Sequence, residues 1–122
     1  MAGKIVADTL EHSTAGSVDT QYVVNGSAKV WGLTTSAAAV TDSLNLSSGT
    51  DHGTGDYSYS LSSAFGNSNF SMNANSSGTA AGKICTSNTG RKTASVVAIE
   101  IENHDGSAND QNQELAAHGD LA

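Results

Sequence analysis

The sequence predicts an all-β protein, an antiparallel β-sandwich or jelly-roll-like knob with a short N-terminal attachment strand. Apolar and polar residues alternate with a period of two in several segments, whereas the periodicity of amphipathic helices is nearly absent. Gly, Asn, Ser and Asp cluster between these segments, as they do at the turns of antiparallel sheets. The 122 residues are enough for one such domain.

The first two strands are predicted near the N-terminus. Residues 4–10 and residues 18–24 are rich in β-forming side chains, and the polar residues 11–16 between them predict a turn. Asn25-Gly26 then predicts a type I′ turn or a bulge.

These boundaries divide the chain into two parts. We expect residues 1–24 to form an attachment or strand-exchange segment, and residues 25–122 to form the sandwich. Within the first part, the candidate attachment residues are Ile5, Val6 and Leu10.

Trp31 is the largest apolar side chain in the sequence and ends the next predicted strand. A Trp ring can bury on the order of 200 Å². We therefore expect it to anchor the core, the alternative being that it stacks on a ligand. The Ala/Thr/Ser-rich residues 33–40 fit either a short helix or an irregular connector.

The clearest hairpin covers residues 42–62, with the chain reversing at residues 49–55. Leu44 and Leu46 are expected on one face of its first strand, because alternate residues of a strand share a face. Its second strand and a later one complete the predicted core anchors, which are Trp31, Tyr57, Tyr59, Leu61 and Ile99.

Four further strands are predicted towards the C-terminus. They cover residues 70–74, 83–86, 97–102 and 114–118, and the polar residues 103–113 form a loop between the last two. In residues 97–102 the aliphatic side chains are expected to face the core and the acidic ones the solvent.

The composition suggests that one copy of the chain is short of apolar surface. About one residue in six is Leu, Ile, Val or Phe, and the net charge is −7. The charged fraction is nevertheless only 14%, and the abundance of Ser, Thr, Asn, Gly and Ala is typical of thin β-layers. We therefore expect the core to be completed against copies of the same chain.

Several partners are not expected. The five basic residues are too few and too scattered for a run of phosphates, which argues against nucleic-acid binding. Cys85, the one cysteine, is expected to be a small buried or half-buried side chain. The sequence has neither an apolar stretch of about 18 residues nor a secretory h-region. We thus expect no membrane insertion, and folding in the cytoplasm where the chain is made.

Catalytic patterns are also weak. There is no Gly-x-Ser-x-Gly motif. Glu100 and Glu102 have a spacing that glycosidases use, but a solvated strand face is the commoner explanation. Residues 103–114 contain side chains with oxygen atoms that could bind Ca²⁺, but their spacing does not match the ligand positions of an EF-hand loop. The four histidines, for which no nucleophile partner is recognisable, are His12, His52, His104 and His118. We expect no enzyme activity, no metal and no cofactor.

A set of short motifs, taken together, resembles a family. It begins with GSAKVW at residues 26–31 and continues with DSLNLSS at residues 42–48. The remaining matching segments are residues 3–10, 53–57, 69–70 and 118–121. This pattern resembles small tail-fibre-like virion proteins of tailed bacteriophages, many of them from marine hosts.

The resemblance implies a non-enzymatic, homotrimeric component of the virion, made in the cytoplasm of a bacterial host. A tail-fibre or head-fibre role would involve host attachment, with distal loops contacting a host-surface glycan. A capsid decoration (cement) protein would instead add residues 4–10 to a capsid-protein sheet by β-augmentation. The candidate contact residues in the loops are Asp51, His52, Asn103, His104 and Asp105.

Overall fold

The computed structural model describes residues 3, 5–78 and 82–122, and in this part the chain forms ten strands and one short helix. The elements are β1 (Thr9–His12), β2 (Gly16–Asp19), α1 (Thr20–Gly26), β3 (Val30–Thr34), β4 (Val40–Leu44), β5 (Leu46–Gly53), β6 (Asp56–Leu61), β7 (Ser71–Ser76), β8 (Lys83–Ser87), β9 (Val96–Asn103) and β10 (Gln113–His118).

Two four-stranded sheets form a sandwich. Sheet I has the strand order β4-β3-β10-β7, and sheet II has the order β5-β6-β9-β8. Every neighbouring pair in both sheets is antiparallel. The predicted antiparallel β-sandwich is therefore confirmed, and β1 and β2 form a separate two-stranded hairpin.

The core lies between the two sheets and consists of alternate, inward-facing side chains. Tyr57, Tyr59 and Ile99 are each 0% exposed, which confirms them as core anchors. Leu61 is half-buried and packs against the same cluster. Other buried members are Val30, Phe65, Phe70, Val97, Ile101, Leu115 and Ala117.

The prediction that Trp31 anchors the core is wrong. Along β3, Val30 and Gly32 face inward, whereas Trp31 and Leu33 face outward. A side chain on Gly32 would collide with Leu46 of sheet II, which occupies that space. The alternation of β3 thus places Trp31 on the outer face of sheet I.

The predicted hairpin over residues 42–62 is only partly right. Its first residues belong to β4 in sheet I, and Asn45, with φ of 67°, leads the chain across to sheet II. Leu44 and Leu46 consequently lie in different sheets. The hairpin itself is β5–β6, and the predicted reversal at 49–55 narrows to a two-residue turn.

Residues 33–40 form neither of the predicted alternatives, a short helix or an irregular connector, but the end of β3, a tight turn and the start of β4. The Ala38 amide donates to the Thr35 carbonyl, and the Thr35 amide donates to the Ala39 carbonyl, both at 2.9 Å. The segment is therefore a hairpin within sheet I.

The first predicted strand, residues 4–10, is wrong except at Thr9 and Leu10. Lys4 lies outside the described residues, and residues 5–8 precede β1, which begins only at Thr9. The turn predicted over residues 11–16 is present but narrower, because it covers only residues 13–15 between β1 and β2. There, His12 Nδ1 accepts hydrogen bonds from the backbone amides that follow it, at 3.2 and 3.3 Å.

The predicted second strand, residues 18–24, is also wrong in part. β2 ends at Asp19, and α1 follows it. Asn25-Gly26, predicted as a turn, closes this helix, so the expected boundary between residues 24 and 25 falls inside α1. Residues 21–26 are all exposed. The helix was hard to foresee because Tyr, Val and Asn have low helix propensity.

The strand predicted to end at Trp31 is wrong in its bounds, because β3 begins at Val30 and continues to Thr34. The four strands predicted towards the C-terminus are confirmed. Residues 70–74, 83–86, 97–102 and 114–118 correspond to β7, β8, β9 and β10. Cys85 on β8 is half-buried, as expected. Among residues 3, 5–78 and 82–122, no helix is long and apolar enough to cross a membrane.

Candidate functional site on the outer face of sheet I

The outer face of sheet I carries two rows of side chains, each running across all four strands. Strand pairing sets the members of each row side by side. The first row, apolar except for the amide on β7, is Leu44, Trp31, Ala116 and Asn73. The second row, which includes two carboxylates, is Asp42, Leu33, Glu114 and Asn75. We call these eight residues the Trp31 face.

Trp31 lies near the centre of this face and is 37% exposed. Leu33 and Leu44 beside it are 45% and 47% exposed. A depression of about 250 Å³ extends from Trp31 and Leu33 across β10 to Asn73 and Asn75 on β7. The face therefore joins an accessible aromatic ring to two amide side chains.

The polar groups of the Trp31 face are exposed. Each Asn offers a carbonyl acceptor and an NH₂ donor, whereas an ionised Glu114 only accepts. The one ion pair among the described residues joins Arg91 to Asp56 on sheet II, at 2.8 Å. Glu114 thus has no basic partner in this part of the chain, and its carboxylate is available to a hydroxyl donor.

Two of the predicted contact residues, Asp51 and His52, lie at the end of β5. Asp51 Oδ1 accepts a hydrogen bond of 2.9 Å from the Gly53 amide. His52 Nε2 lies 2.8 Å from Ser58 Oγ on the outer face of sheet II. Both side chains are satisfied locally, so they stabilise the hairpin.

The other three, Asn103, His104 and Asp105, lie at the end of β9 and in the turn after it. Asn103 Nδ2 donates to Ser107 Oγ at 2.8 Å, and Ser107 Oγ donates to Asp105 Oδ1 at 2.7 Å. The Ser107 hydroxyl, followed by the Ser107 backbone amide, lowers the pKa of the exposed Asp105 carboxyl. The Asn103 and Asp105 side chains therefore stabilise the turn, and the His104 side chain is exposed.

The two predicted contact loops meet at one end of the sandwich, although their side chains do not converge. The Ile101 amide donates to the Gly55 carbonyl at 2.8 Å. Asp110 Oδ1 accepts from the Gly55 amide at 2.8 Å and from the Tyr57 hydroxyl at 2.7 Å. The Gly55 amide, followed by the Tyr57 hydroxyl, lowers the pKa of Asp110. Asp110 therefore joins the β5–β6 turn to the β9–β10 loop.

A buried polar cluster between the sheets was not foreseen. Gln113 is 0% exposed and Thr34 is 3% exposed. Gln113 Oε1 accepts from Thr34 Oγ1 at 2.5 Å and also from the Tyr59 hydroxyl, which lies 2.9 Å from Thr34 Oγ1. Burial raises the pKa of Tyr59. The cluster is enclosed by the core, so we assign it to stability.

Three observations concern the candidate catalytic and metal-binding groups. His52 and Ser58 form a Ser–His pair, but they lie on an exposed strand face, and within the described residues no acid hydrogen-bonds to His52. No three His, Cys, Asp or Glu side chains lie close enough to hold a metal ion, as far as residues 3, 5–78 and 82–122 show. Burial raises the pKa of the Cys85 thiol, which disfavours the reactive thiolate.

A second apolar surface belongs to residues 5–26, which we call the N-terminal segment. Its candidate attachment residues are brought together: a groove of about 460 Å³ is lined by Ile5, Val6, Leu10, Val23 and Val24, among others. Ile5 and Val6 are 92% and 81% exposed. This surface is almost wholly apolar, unlike the Trp31 face.

Sequence reasoning missed the partners of Trp31, which are Leu33, Glu114, Asn73 and Asn75. Leu33 lies two residues after Trp31, so the period-two alternation of a strand would have placed both on one face. The pairing of β3 with β10 and of β10 with β7 could not be predicted from the sequence, because those strands are far apart in the chain.

No protein-family model, curated protein or solved structure matches the chain.

Proposed function

We propose that the chain is a non-enzymatic structural protein of a tailed-phage virion, a trimeric tail-fibre or head-fibre component that takes part in host attachment. The observation that carries this proposal is the exposed apolar surface of the N-terminal segment. A contiguous apolar surface of this kind marks an interaction site, since covering it contributes roughly 25 cal/mol for each Å² removed from water.

The N-terminal segment has the properties of an assembly element. Within its groove, α1 exposes Val24 at 59%, and outside the groove it exposes Tyr22 at 65%. The sandwich leaves these side chains uncovered, so a surface from outside this copy is needed. Further copies of the same chain supply one, and the family resemblance of residues 26–31 and 42–48 favours a trimer within a virion.

The junction between the two regions also supports an assembled stem that carries a sandwich. Lys29 Nζ donates to the Val24 carbonyl at the end of α1 and to Ser27 Oγ. His118 Nδ1 of β10 lies 3.1 Å from the Gly26 carbonyl. Cations are favourable at a helix C-terminus. These contacts tie the end of α1 to sheet I, which suits a sandwich projecting from an assembled N-terminal region.

Light scattering on the purified chain tests this proposal. We expect a mass near three times 12.3 kDa for the wild type, and a monomer for Val24→Asp, because a buried, unpaired carboxylate is costly. Ile84→Asp is the matched control, since Ile84 is 48% exposed on β8 of the sandwich. It should keep the trimeric mass. A folded, monomeric wild type would contradict the proposal.

A capsid decoration role is the second candidate, and the exposed residues 5–8 favour it. They precede β1. The Ala7 and Asp8 carbonyls accept hydrogen bonds from Thr20, which leaves Ile5 and Val6 to add a short strand to a neighbouring sheet. Competition distinguishes the two roles. Purified chain should reduce phage adsorption to host cells if it is a fibre component. It should leave adsorption unchanged, but restore heat resistance to heads that lack it, if it is a decoration protein.

A further inference from the structure

We infer that the Trp31 face is a carbohydrate-binding site that takes a neutral oligosaccharide. The inference rests on the proposed attachment function, for which it names the ligand class and the surface. It also moves the contact site from the predicted loops to the outer face of sheet I.

The aromatic ring supplies the first element of recognition. Trp31 is held on a central strand, between β4 and β10, and rigid strands position side chains better than loops do. The apolar C–H face of a pyranose ring can lie against an exposed indole, as other flat ligands stack on aromatic side chains. Leu33 and Leu44 extend the apolar floor beside the ring.

The amides supply the second element. Asn73 is in the same row as Trp31, two strands away across Ala116. Because neighbouring strands are about 4.8 Å apart, roughly 10 Å separates the two positions. A sugar hydroxyl both donates and accepts, which matches the two functions of each Asn amide and the acceptor on Glu114. A ligand that reaches both the ring and the amides needs more than one sugar unit.

Charge argues against a second copy of this chain on the same face. Packing another copy there would take Asp42 and Glu114 out of water, and a buried carboxylate is costly unless it is paired. The described basic side chains already have partners: Lys29 at α1, Lys83 at Asn103, Arg91 at Asp56 and Lys92 at the Phe70 carbonyl. A neutral, hydroxylated ligand in the depression can donate to Glu114 without requiring a cation, and Asp42 lies outside the lining of the depression.

Charge also argues against nucleic acid. The net charge of the chain is −7, and the two carboxylates on the Trp31 face would repel phosphates. A single-stranded nucleic acid could stack on Trp31, but it would lack the basic groove that such ligands require. The mixture of one aromatic ring, two amides and two carboxylates therefore favours a neutral sugar.

The chain contains a single Trp, so its fluorescence reports on this face alone. The probes are maltohexaose, cellohexaose and hexa-N-acetylchitohexaose, titrated into the full-length protein. We expect a saturable change in emission with at least one of them. By calorimetry with that sugar, Trp31→Ala and Asn73→Ala should each weaken binding at least about tenfold. Tyr22→Ala is the matched control, an exposed aromatic residue outside the face, and should leave the affinity unchanged.

Light scattering on the same samples separates this inference from the proposed assembly. A trimer that shows neither an emission change nor heat with any of the three sugars overturns the carbohydrate site and leaves the assembly standing. A monomer that binds sugar through Trp31 overturns the proposed trimeric assembly and supports the carbohydrate site. If Trp31→Ala instead lowers the oligomeric mass, the face is a contact between copies and the inference is wrong.

Discussion

The N-terminal segment and the sandwich use the same aliphatic residue types in opposite ways. In the sandwich, Ile99 is 0% exposed between two sheets, whereas Ile5 of the N-terminal segment is 92% exposed beside a two-stranded hairpin. A hairpin and a seven-residue helix provide only one layer, and burial requires two. The low apolar content of the chain therefore does not leave the sandwich without a core. Among the described residues, the four large apolar side chains with the highest exposure, Ile5, Val6, Tyr22 and Val24, all belong to residues 5–26.

The largest expected effect tests this contrast directly. Ile99→Ala should lower the free energy of unfolding by about 2–5 kcal/mol, because it leaves a cavity between the sheets. Val24→Ala, which truncates a side chain that is 59% exposed, should change the unfolding of the sandwich by less than about 0.5 kcal/mol. Urea unfolding followed by circular dichroism measures both. Equal losses would mean that the N-terminal segment and the sandwich unfold as one unit.

A smaller effect is expected from the polar part of the sandwich interior. Gln113→Ala removes the acceptor shared by Thr34 and Tyr59. Leaving buried hydroxyls short of a partner costs about 1–3 kcal/mol, in addition to the cavity. Glu114→Ala changes the neighbouring, exposed residue of β10 and should cost less than about 0.5 kcal/mol. If the two variants unfold alike, the buried cluster does not contribute as its geometry suggests.

The parts of the fold that could be predicted from the sequence are those determined by residues close together in the chain. The strand containing Ile99 was predictable because alternating aliphatic and acidic residues define both its type and its inward face. Trp31 was misplaced because its size favoured the core, while its direction depends on Val30 and Gly32 facing sheet II. α1 was missed because Tyr22 and its neighbours favour a strand and the helix offers no apolar stripe.

The site was less predictable than the fold for a related reason. Trp31 and Asn73 belong to the same row only because β10, far along the chain, lies between β3 and β7. The period-two rule specifies which residues of one strand share a face, but it does not specify which strands are neighbours. Loop residues such as His52 and Asp105 are polar, which makes them candidates for ligand contact, but in the structure their side chains bond to Ser58 and Ser107 of their own hairpin or turn.

The smallest predicted effect is a pH dependence that should belong to the sandwich. Because the Gly55 amide and the Tyr57 hydroxyl lower the pKa of Asp110, its carboxylate stabilises the folded state above the unfolded pKa of about 3.9. That contribution is lost as the pH falls through the lower, folded-state pKa.

Asp110→Asn should therefore lower Tm at neutral pH and flatten the fall in Tm below about pH 4. Thermal unfolding followed by circular dichroism from pH 7 to pH 2.5 measures both. Asp42→Asn, which changes an exposed carboxylate of β4, is the control. Parallel Tm curves for Asp110→Asn and the wild type would show that Asp110 does not link the two loops in solution. If Asp110→Asn changes the oligomeric mass, the N-terminal segment and the sandwich are not independent. The end of the sandwich that contains Asp110 would then be coupled to the assembly surface.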